Sequence, residues 1–206
     1  MAAQPVKLPR GALAYLRRRD PLLGAAMKRL GPFTLTFGSA ESELEALTRS
    51  IVYQQLSGKA AGTIYARFCA LFTAQTPTIK EIEALSEEVL RGVGLSRQKI
   101  SYLKDLAAKA ESLELSQLKT LDDEEVITRL TQIKGFGRWS VEMFLIFHLG
   151  RLNVWPVDDL GVRKAISMLH EHEELPQRLF MAETGALDHP YRTVATWYLW
   201  RSLDNQ

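Results

Sequence analysis

Apolar side chains recur at helical spacing along most of this chain, and that pattern is the strongest constraint on its fold. Leu44, Leu47 and Ile51 fall at i, i+3 and i+7. Ala61, Ile64, Tyr65 and Phe68 fall at i, i+3, i+4 and i+7, and Ile100, Leu103, Leu106 and Ala107 repeat the pattern. Cap candidates punctuate these runs: Ser42 with Glu45, Ser86, Ser96, and Asp122 with Glu125. The first and last pairs have the spacing of a capping box. Only Phe33, Leu35 and Phe37 alternate as a strand would, and that run is short. The expectation is an all-α fold of about ten helices with short connections.

Composition narrows the class. The 206 residues are 46% hydrophobic and 24% charged, which suits a soluble globular protein and excludes disordered and collagen-like chains. No apolar run approaches the roughly 18–20 residues of a membrane-spanning helix. Met1 to Pro9 lacks the apolar core of a signal peptide. The single cysteine, Cys69, provides neither a disulfide framework nor an iron–sulfur cluster. Four histidines without close pairing argue against zinc. An intracellular location is expected: cytoplasm or nucleoid, or the nucleus in a eukaryote, with no membrane partner.

The net charge of +2 is unevenly spread. Residues 1–31 carry Lys7, Arg10, Arg17, Arg18, Arg19, Lys28 and Arg29 against one acid, Asp20, so this segment is +6 and the rest −4. Such a segment faces an anionic partner or is simply a solvated helix face. Glycine and proline cluster at Gly31-Pro32, Gly92 and Gly94, Gly135 and Gly137, and from Gly150 to Pro156. The expected organisation is one module, 1–206, with a central helical lobe over 42–150 that includes a hairpin at 122–149. A second lobe combines 1–41 with 151–206, and a cleft between lobes is the expected ligand site.

The most informative stretch is Leu130-Thr131-Gln132-Ile133-Lys134-Gly135-Phe136-Gly137-Arg138-Trp139-Ser140. A capped helix runs into Gly-x-Gly and a new helix starts at once, with Val141, Leu145 and Leu149 on one face. Two glycines let the backbone turn tightly and approach another molecule. Amides at the start of the second helix suit an anion, because unpaired donors and the positive end of the dipole point outward together. Ile133 and Phe136 would pin the two helices together. A bare Gly-x-Gly turn is equally a structural helix–turn–helix. The whole pattern looks like a helix–hairpin–helix that grips a phosphate without reading sequence. No strand precedes it and no Walker lysine follows.

Some twenty residues on comes Val154-Trp155-Pro156-Val157-Asp158-Asp159-Leu160-Gly161-Val162-Arg163-Lys164. Asp158 is placed to cap the helix that begins here. Asp159 would lie in its first turn and face the cleft. A carboxylate there could stabilise positive charge on a sugar or orient water. Both aspartates are also readable as caps or surface charges.

This hairpin followed by Val-Asp-Asp-Leu-Gly-Val-Arg resembles the helix–hairpin–helix superfamily of DNA base-excision glycosylases. Within it, the chain is similar to the 3-methyladenine DNA glycosylase II (alkylbase glycosylase) branch. Ile51-Val52-Tyr53-Gln54-Gln55-Leu56-Ser57-Gly58-Lys59-Ala60-Ala61, Gly94-Leu95-Ser96-Arg97-Gln98-Lys99 and Pro190-Tyr191-Arg192 through Trp200 resemble further segments of that branch. The match covers about 40 to 203. Some relatives carry an extra N-terminal domain of about a hundred residues, and this chain resembles the compact members.

The resemblance implies two all-α lobes with the active site between them. It makes Asp159 the catalytic aspartate, supporting an oxocarbenium-like sugar with water as final nucleophile, and Asp158 a capping carboxylate. It places Trp139, Met143, Leu160 and Trp200 around the extruded base, where electron-rich rings suit a cationic methylated purine. Relatives that also cut the strand carry an amine nucleophile where Trp139 stands, so a monofunctional enzyme without lyase activity is implied. Met143 and Leu160 stand where some relatives have tyrosines. Leu56 matches the wedge that enters the base stack. Gln55, Ser57, Lys59, Gly135, Gly137 and Arg138 match DNA contacts. No cofactor is required, although the family's hairpin can hold a sodium or potassium ion through backbone carbonyls, here those of Thr131, Ile133 and Phe136. The implied partner is double-stranded DNA containing alkylated bases, bound by a monomer. Read as residues alone, Trp139 and Trp200 are also ordinary core tryptophans and Leu56 a core leucine. Two rival functions stay open: a non-catalytic helix–hairpin–helix DNA-binding module, and a glycosylase for oxidised, deaminated or mismatched bases.

Overall fold

The computed structural model describes residues 3–204 and is almost wholly helical. In chain order, β1 (Gln4–Pro5) precedes α1 (Ala12–Arg19) and α2 (Pro21–Leu30), and β2 (Thr36–Phe37) follows. Then come α3 (Glu43–Tyr53), α4 (Gly58–Cys69), α5 (Ile79–Ala84), α6 (Glu87–Gly92) and α7 (Arg97–Lys109). A 3-10 helix (Leu115–Thr120) leads to α8 (Asp123–Leu130) and α9 (Arg138–Phe147). The chain ends with α10 (Leu160–Leu169), α11 (Arg178–Leu187) and α12 (Arg192–Leu203). The only strands among the described residues pair antiparallel, Gln4 opposite Phe37 and Pro5 opposite Thr36. The Phe33-Leu35-Phe37 alternation thus yields a two-residue strand, with Leu35 buried. Among the described residues no helix is long and apolar enough to cross a membrane.

The contacts divide the chain into two compact units. The first spans Gly38–Phe144. Each helical repeat seen in the sequence buries its stripe here: Leu47 and Ile51 on α3, Ala61 and Phe68 on α4, and Ile100, Leu103 and Leu106 on α7. Ser42, Ser57, Thr78, Ser86 and Ser96 each cap the following helix by accepting its third amide. At α8 the full reciprocal box forms: Asp122 accepts from the Glu125 amide at 2.8 Å, and Glu125 accepts from the Asp122 amide at 3.0 Å. At α3 the glutamate instead reaches one residue further, to the Glu41 amide. Lys104 of α7 closes the other end of α5, donating to the carbonyls of Ile82, Glu83 and Leu85.

The second unit combines residues from Ala3 to Phe37 with the chain from Leu145 onward. Leu16 of α1 and Leu23 and Met27 of α2 share one core with Val162, Ala165 and Ile166 of α10, Met181 of α11, and Val194, Ala195, Tyr198 and Leu199 of α12. The Tyr198 hydroxyl donates to the Gly31 carbonyl at 3.0 Å, tying α12 to the end of α2. Trp155 packs close to α11, and its indole N–H donates to the Met181 carbonyl at 2.7 Å. A Cβ at Gly185 would come within 2.5 Å of that indole, so glycine is required for the approach.

One charge in this unit is at odds with its surroundings. Asp188, at the end of α11, is 1% exposed, and neither carboxylate oxygen has a hydrogen-bond partner. Burial, and after it the charge of Asp20, push the carboxyl up to about 8, while Arg192 pulls the other way. The folded chain therefore holds Asp188 protonated at neutral pH, whereas the unfolded chain releases that proton near pH ~4. Between about pH 4 and 8 the unfolded state binds fewer protons, so rising pH lowers stability by up to ~1.4 kcal/mol per unit. Asp188→Asn should remove this component. Thermal midpoints taken between about pH 5 and 8 should converge with or fall below wild type at the acid end and exceed it at the alkaline end. Parallel curves would show the carboxyl to be ionised in the fold.

Candidate functional site

The first unit presents a turn and a hairpin side by side. α3 ends at Tyr53, and the chain passes through Gln54, Gln55 and Leu56 to Ser57, the cap of α4. Gln55 has φ +57, a left-handed conformation that side chains other than glycine, asparagine and aspartate seldom adopt. Leu56 is 39% exposed, which settles the core alternative against it. Ser57 and Lys59 are exposed beside it. The Gln54 side-chain amide donates to the Gly135 carbonyl at 3.1 Å, fastening this turn to the glycine hairpin.

The hairpin is anchored from within. Ile133 and Phe136 are buried, and the Phe136 amide donates to the Ile133 carbonyl at 3.1 Å. Asp105 of α7 accepts from the Lys134 amide and from the Lys109 ammonium, both at 2.8 Å, and Lys109 also donates to the Gln132 carbonyl. Burial opposes ionisation of Asp105, but these donors outweigh it and hold the carboxyl below its usual range. Gly135 has φ +82, and a Cβ there would overlap the Tyr102 ring. Gly135 and Gly137 are both exposed, so their backbone is open to a partner. Thr131 is exposed as well, and the carbonyls of Thr131, Ile133 and Phe136 belong to this turn.

Trp139 and Met143, one turn apart on α9, line a concavity of about 510 Å³ with Tyr53, Gln54, Gln55, Lys99, Tyr102 and Gly135. Trp139 is 47% exposed, so it is no core residue. Lys99 leans into the same region and donates to the Val52 carbonyl at 2.6 Å; burial draws its pKa down. Arg138, expected as a DNA contact, is also paired within the protein. It donates to Glu124 of α8 and, at 3.1 Å, to Glu142 one turn along. These bonds join α8 to α9, and the pairing holds Glu124 below the usual carboxylate range.

The second unit holds the paired aspartates. Pro156 accepts from the Asp159 amide at 3.0 Å, and the turn delivers Asp159 as the N-cap of α10. The expected roles are thereby corrected: Asp159, not Asp158, is the cap. Asp158 is exposed and forms a two-pronged pair with Arg178 of α11. A cap must precede the first helical residue, and α10 starts at Leu160, one residue later than an Asp158 cap requires. Asp159 is 8% exposed, and its Oδ1 accepts from the Val162 amide at 2.8 Å and from the Trp200 indole N–H at 2.9 Å. Leu160 beside it is 52% exposed. Phe147, which carried no signal in the sequence beyond its place in an apolar run, stacks on Trp200 with ring centres 5.8 Å apart and planes 14° apart.

The first unit thus carries an exposed Leu56, an exposed Trp139 and a hairpin of open backbone, and the second a near-buried carboxylate at a helix N-terminus. Comparison with known proteins agrees. Residues 48–185 match the HhH-GPD superfamily of base excision DNA repair proteins. The chain is 41% identical over 162 residues to DNA-3-methyladenine glycosylase 1 of Schizosaccharomyces pombe, covering 77% of this chain and 71% of that protein. It is 31% identical over 192 residues to the alkylbase DNA glycosidase-like protein mag2 of the same yeast, covering 91% and 90%. The solved structure of the Schizosaccharomyces pombe 3-methyladenine DNA glycosylase in complex with abasic DNA superposes with a TM-score of 0.81 at 35% identity, covering 94% of this chain and 96% of that one.

The hairpin geometry makes a direct prediction. Gly135→Ala combines an unfavourable φ with the Tyr102 overlap and should destabilise the protein by about 2–4 kcal/mol in urea unfolding. Adding Tyr102→Ala should recover only the steric part. A neutral Gly135→Ala would show that the turn does not need this close approach.

Proposed function

The chain belongs to the HhH-GPD superfamily of base excision DNA repair proteins, and from that premise we propose that it is a monofunctional DNA glycosylase. In this reading it flips alkylated purines, 3-methyladenine foremost and 7-methylguanine with it, out of double-stranded DNA. It hydrolyses the N-glycosidic bond and leaves an abasic site. Alkylation at a ring nitrogen makes the base a cationic leaving group that departs with the bonding electron pair and becomes neutral. Positive charge then develops on the sugar, and Asp159 is the group that stabilises it. Water adds to C1′ and loses a proton, which completes the hydrolysis. No acid is needed for departure of a base already charged.

The observation that carries this reading is Asp159 itself: a carboxylate 8% exposed, held by two N–H donors on one oxygen, in a chain of this family. Trp139 and Trp200 offer π faces to a cationic base. Leu56, exposed on a strained turn, supports the wedge role, and Gln55 beside it a contact to the opposite base. Ser57, Lys59 and the amides near Gly135 and Gly137 would hold phosphates. The carbonyls of Thr131, Ile133 and Phe136 are hard oxygen donors of the type that suits a sodium or potassium ion in the hairpin. Monofunctionality rests on Trp139 standing where an amine nucleophile would be. Lys134, the nearest lysine in sequence, is drawn to Asp105 by both its amide and its ammonium. The protein would act as a monomer in the compartment that holds the DNA.

The test is release of methylated bases from alkylated duplex DNA. Wild type should release 3-methyladenine, and Asp159→Asn should slow release by about 100-fold or more. Borohydride should trap no covalent complex. Full activity in the variant would overturn the role of Asp159, trapping would point to a lyase, and DNA binding without release of any base would favour a non-catalytic module.

A further inference from the structure

We propose that Trp200 is a positioning residue for Asp159: its indole N–H fixes the carboxylate plane, and Gly161 and Phe147 hold the indole where it can do so. This rests on the reading above in which Asp159 stabilises the sugar cation. A pocket wall needs only the face of a tryptophan. Here the edge is engaged as well, donating to Asp159 Oδ1 at 2.9 Å from a residue 41 positions away in the chain.

An aspartate cap does not ordinarily need such a partner. Asp20 caps α2 through the Leu23 amide, and Asp122 caps α8 through the Glu125 amide. Asp159 has the equivalent bond, from Val162 at 2.8 Å. With one donor a carboxylate can still rotate about its last torsion. With two donors converging on Oδ1 from different elements, α10 and α12, the plane is set and the direction of the second oxygen with it. Orientation is then settled during folding and need not be achieved when the sugar cation forms.

Gly161 shows that the fold makes room for this bond. Its backbone needs no glycine, since its φ lies outside the positive range. Its space does. A Cβ would lie 3.1 Å from Trp200 Cδ1, 3.1 Å from Asp159 Oδ1 and 3.4 Å from Trp200 Nε1, against the two atoms that meet. Glycine in the first turn of a helix is unfavourable on propensity alone. Phe147 stacks on the indole while 43% exposed itself, an exposure that its role as a backstop explains. Tyr198 and Leu199, both buried, fix the backbone from which Trp200 projects.

Trp200→Phe keeps an aromatic ring for Phe147 and for a base but removes the N–H. Single-turnover release of 3-methyladenine from methylated duplex DNA should slow by about 10- to 100-fold. Binding to a duplex with an abasic-site analogue should change less than about twofold, and the thermal midpoint should hold. Gly161→Ala, which alters no aromatic side chain, should slow release in the same way. The deciding measurement is the double variant Asp159→Asn/Trp200→Phe. If Trp200 acts through Asp159, the second substitution should add almost nothing to the first. Full additivity, a loss confined to DNA binding, or an unchanged rate in Trp200→Phe would each overturn the proposal and leave Asp159 in its role. An Asp159→Asn enzyme of full activity would instead remove the reading on which the proposal rests.

Discussion

An α-helix leaves its first amides and last carbonyls without partners inside the helix. A chain built from helices of six to thirteen residues meets that demand again and again. Most of the groups that answer it here are polar caps with no further task, such as Ser86 and Ser96. A few are themselves candidate functional residues. Ser57 caps α4 beside the exposed Leu56, and Asp159 caps α10 while also receiving the Trp200 indole. The hairpin between α8 and α9 leaves Gly135 and Gly137 exposed where a new helix begins. The chemistry of helix ends and the chemistry proposed for the site are thus drawn from the same groups.

The two donors on Asp159 bear on the type of catalysis proposed for it. Its carboxylate sits at the positive end of α10, with Oδ1 shared between two donors. Donors that withdraw electron density from a carboxylate reduce its nucleophilicity, yet they leave its negative charge available to a cation. That balance suits electrostatic support of a developing sugar cation better than covalent attack on it. A base that is already charged leaves readily, and support of the sugar is the remaining demand.

How much of this was legible in the sequence depends on whether the signal was local. The helical class followed from spacing alone, and Ser42, Ser86, Ser96 and Asp122 are caps because cap chemistry involves only the next three residues. The hairpin glycines were visible for the same reason. Between Asp158 and Asp159 the sequence pointed to Asp158 as the cap, and a start of α10 one residue later passed the cap to Asp159 and left Asp158 to Arg178. The Arg138 pairing with Glu124 spans fourteen residues across the hairpin and leaves no local mark. Phe147 closes an apolar run in which Phe144, Leu145 and Ile146 are all buried, so nothing in the pattern set it apart as exposed. Gly161 read as part of a motif, whereas its reason is the space taken by an indole from α12.

The surplus of positive charge in the first 31 residues also has a local account. Arg17, Arg18 and Arg19 form the last turn of α1, and Lys28 and Arg29 the last turn of α2. Cations are favoured there because they face the negative ends of the two helix dipoles. Five of the seven basic side chains of that segment are therefore placed as helix stability would place them, and all five are exposed. A phosphate partner is not needed to explain them. The hairpin, by contrast, offers backbone amides, whose hold on a phosphate needs no net charge. A chain with a net charge of only +2 can then bind a polyanion without a strongly basic surface, provided the amides are held in place. Asp105, Lys109 and the Gln54 side chain do that here, each through a hydrogen bond to the hairpin backbone.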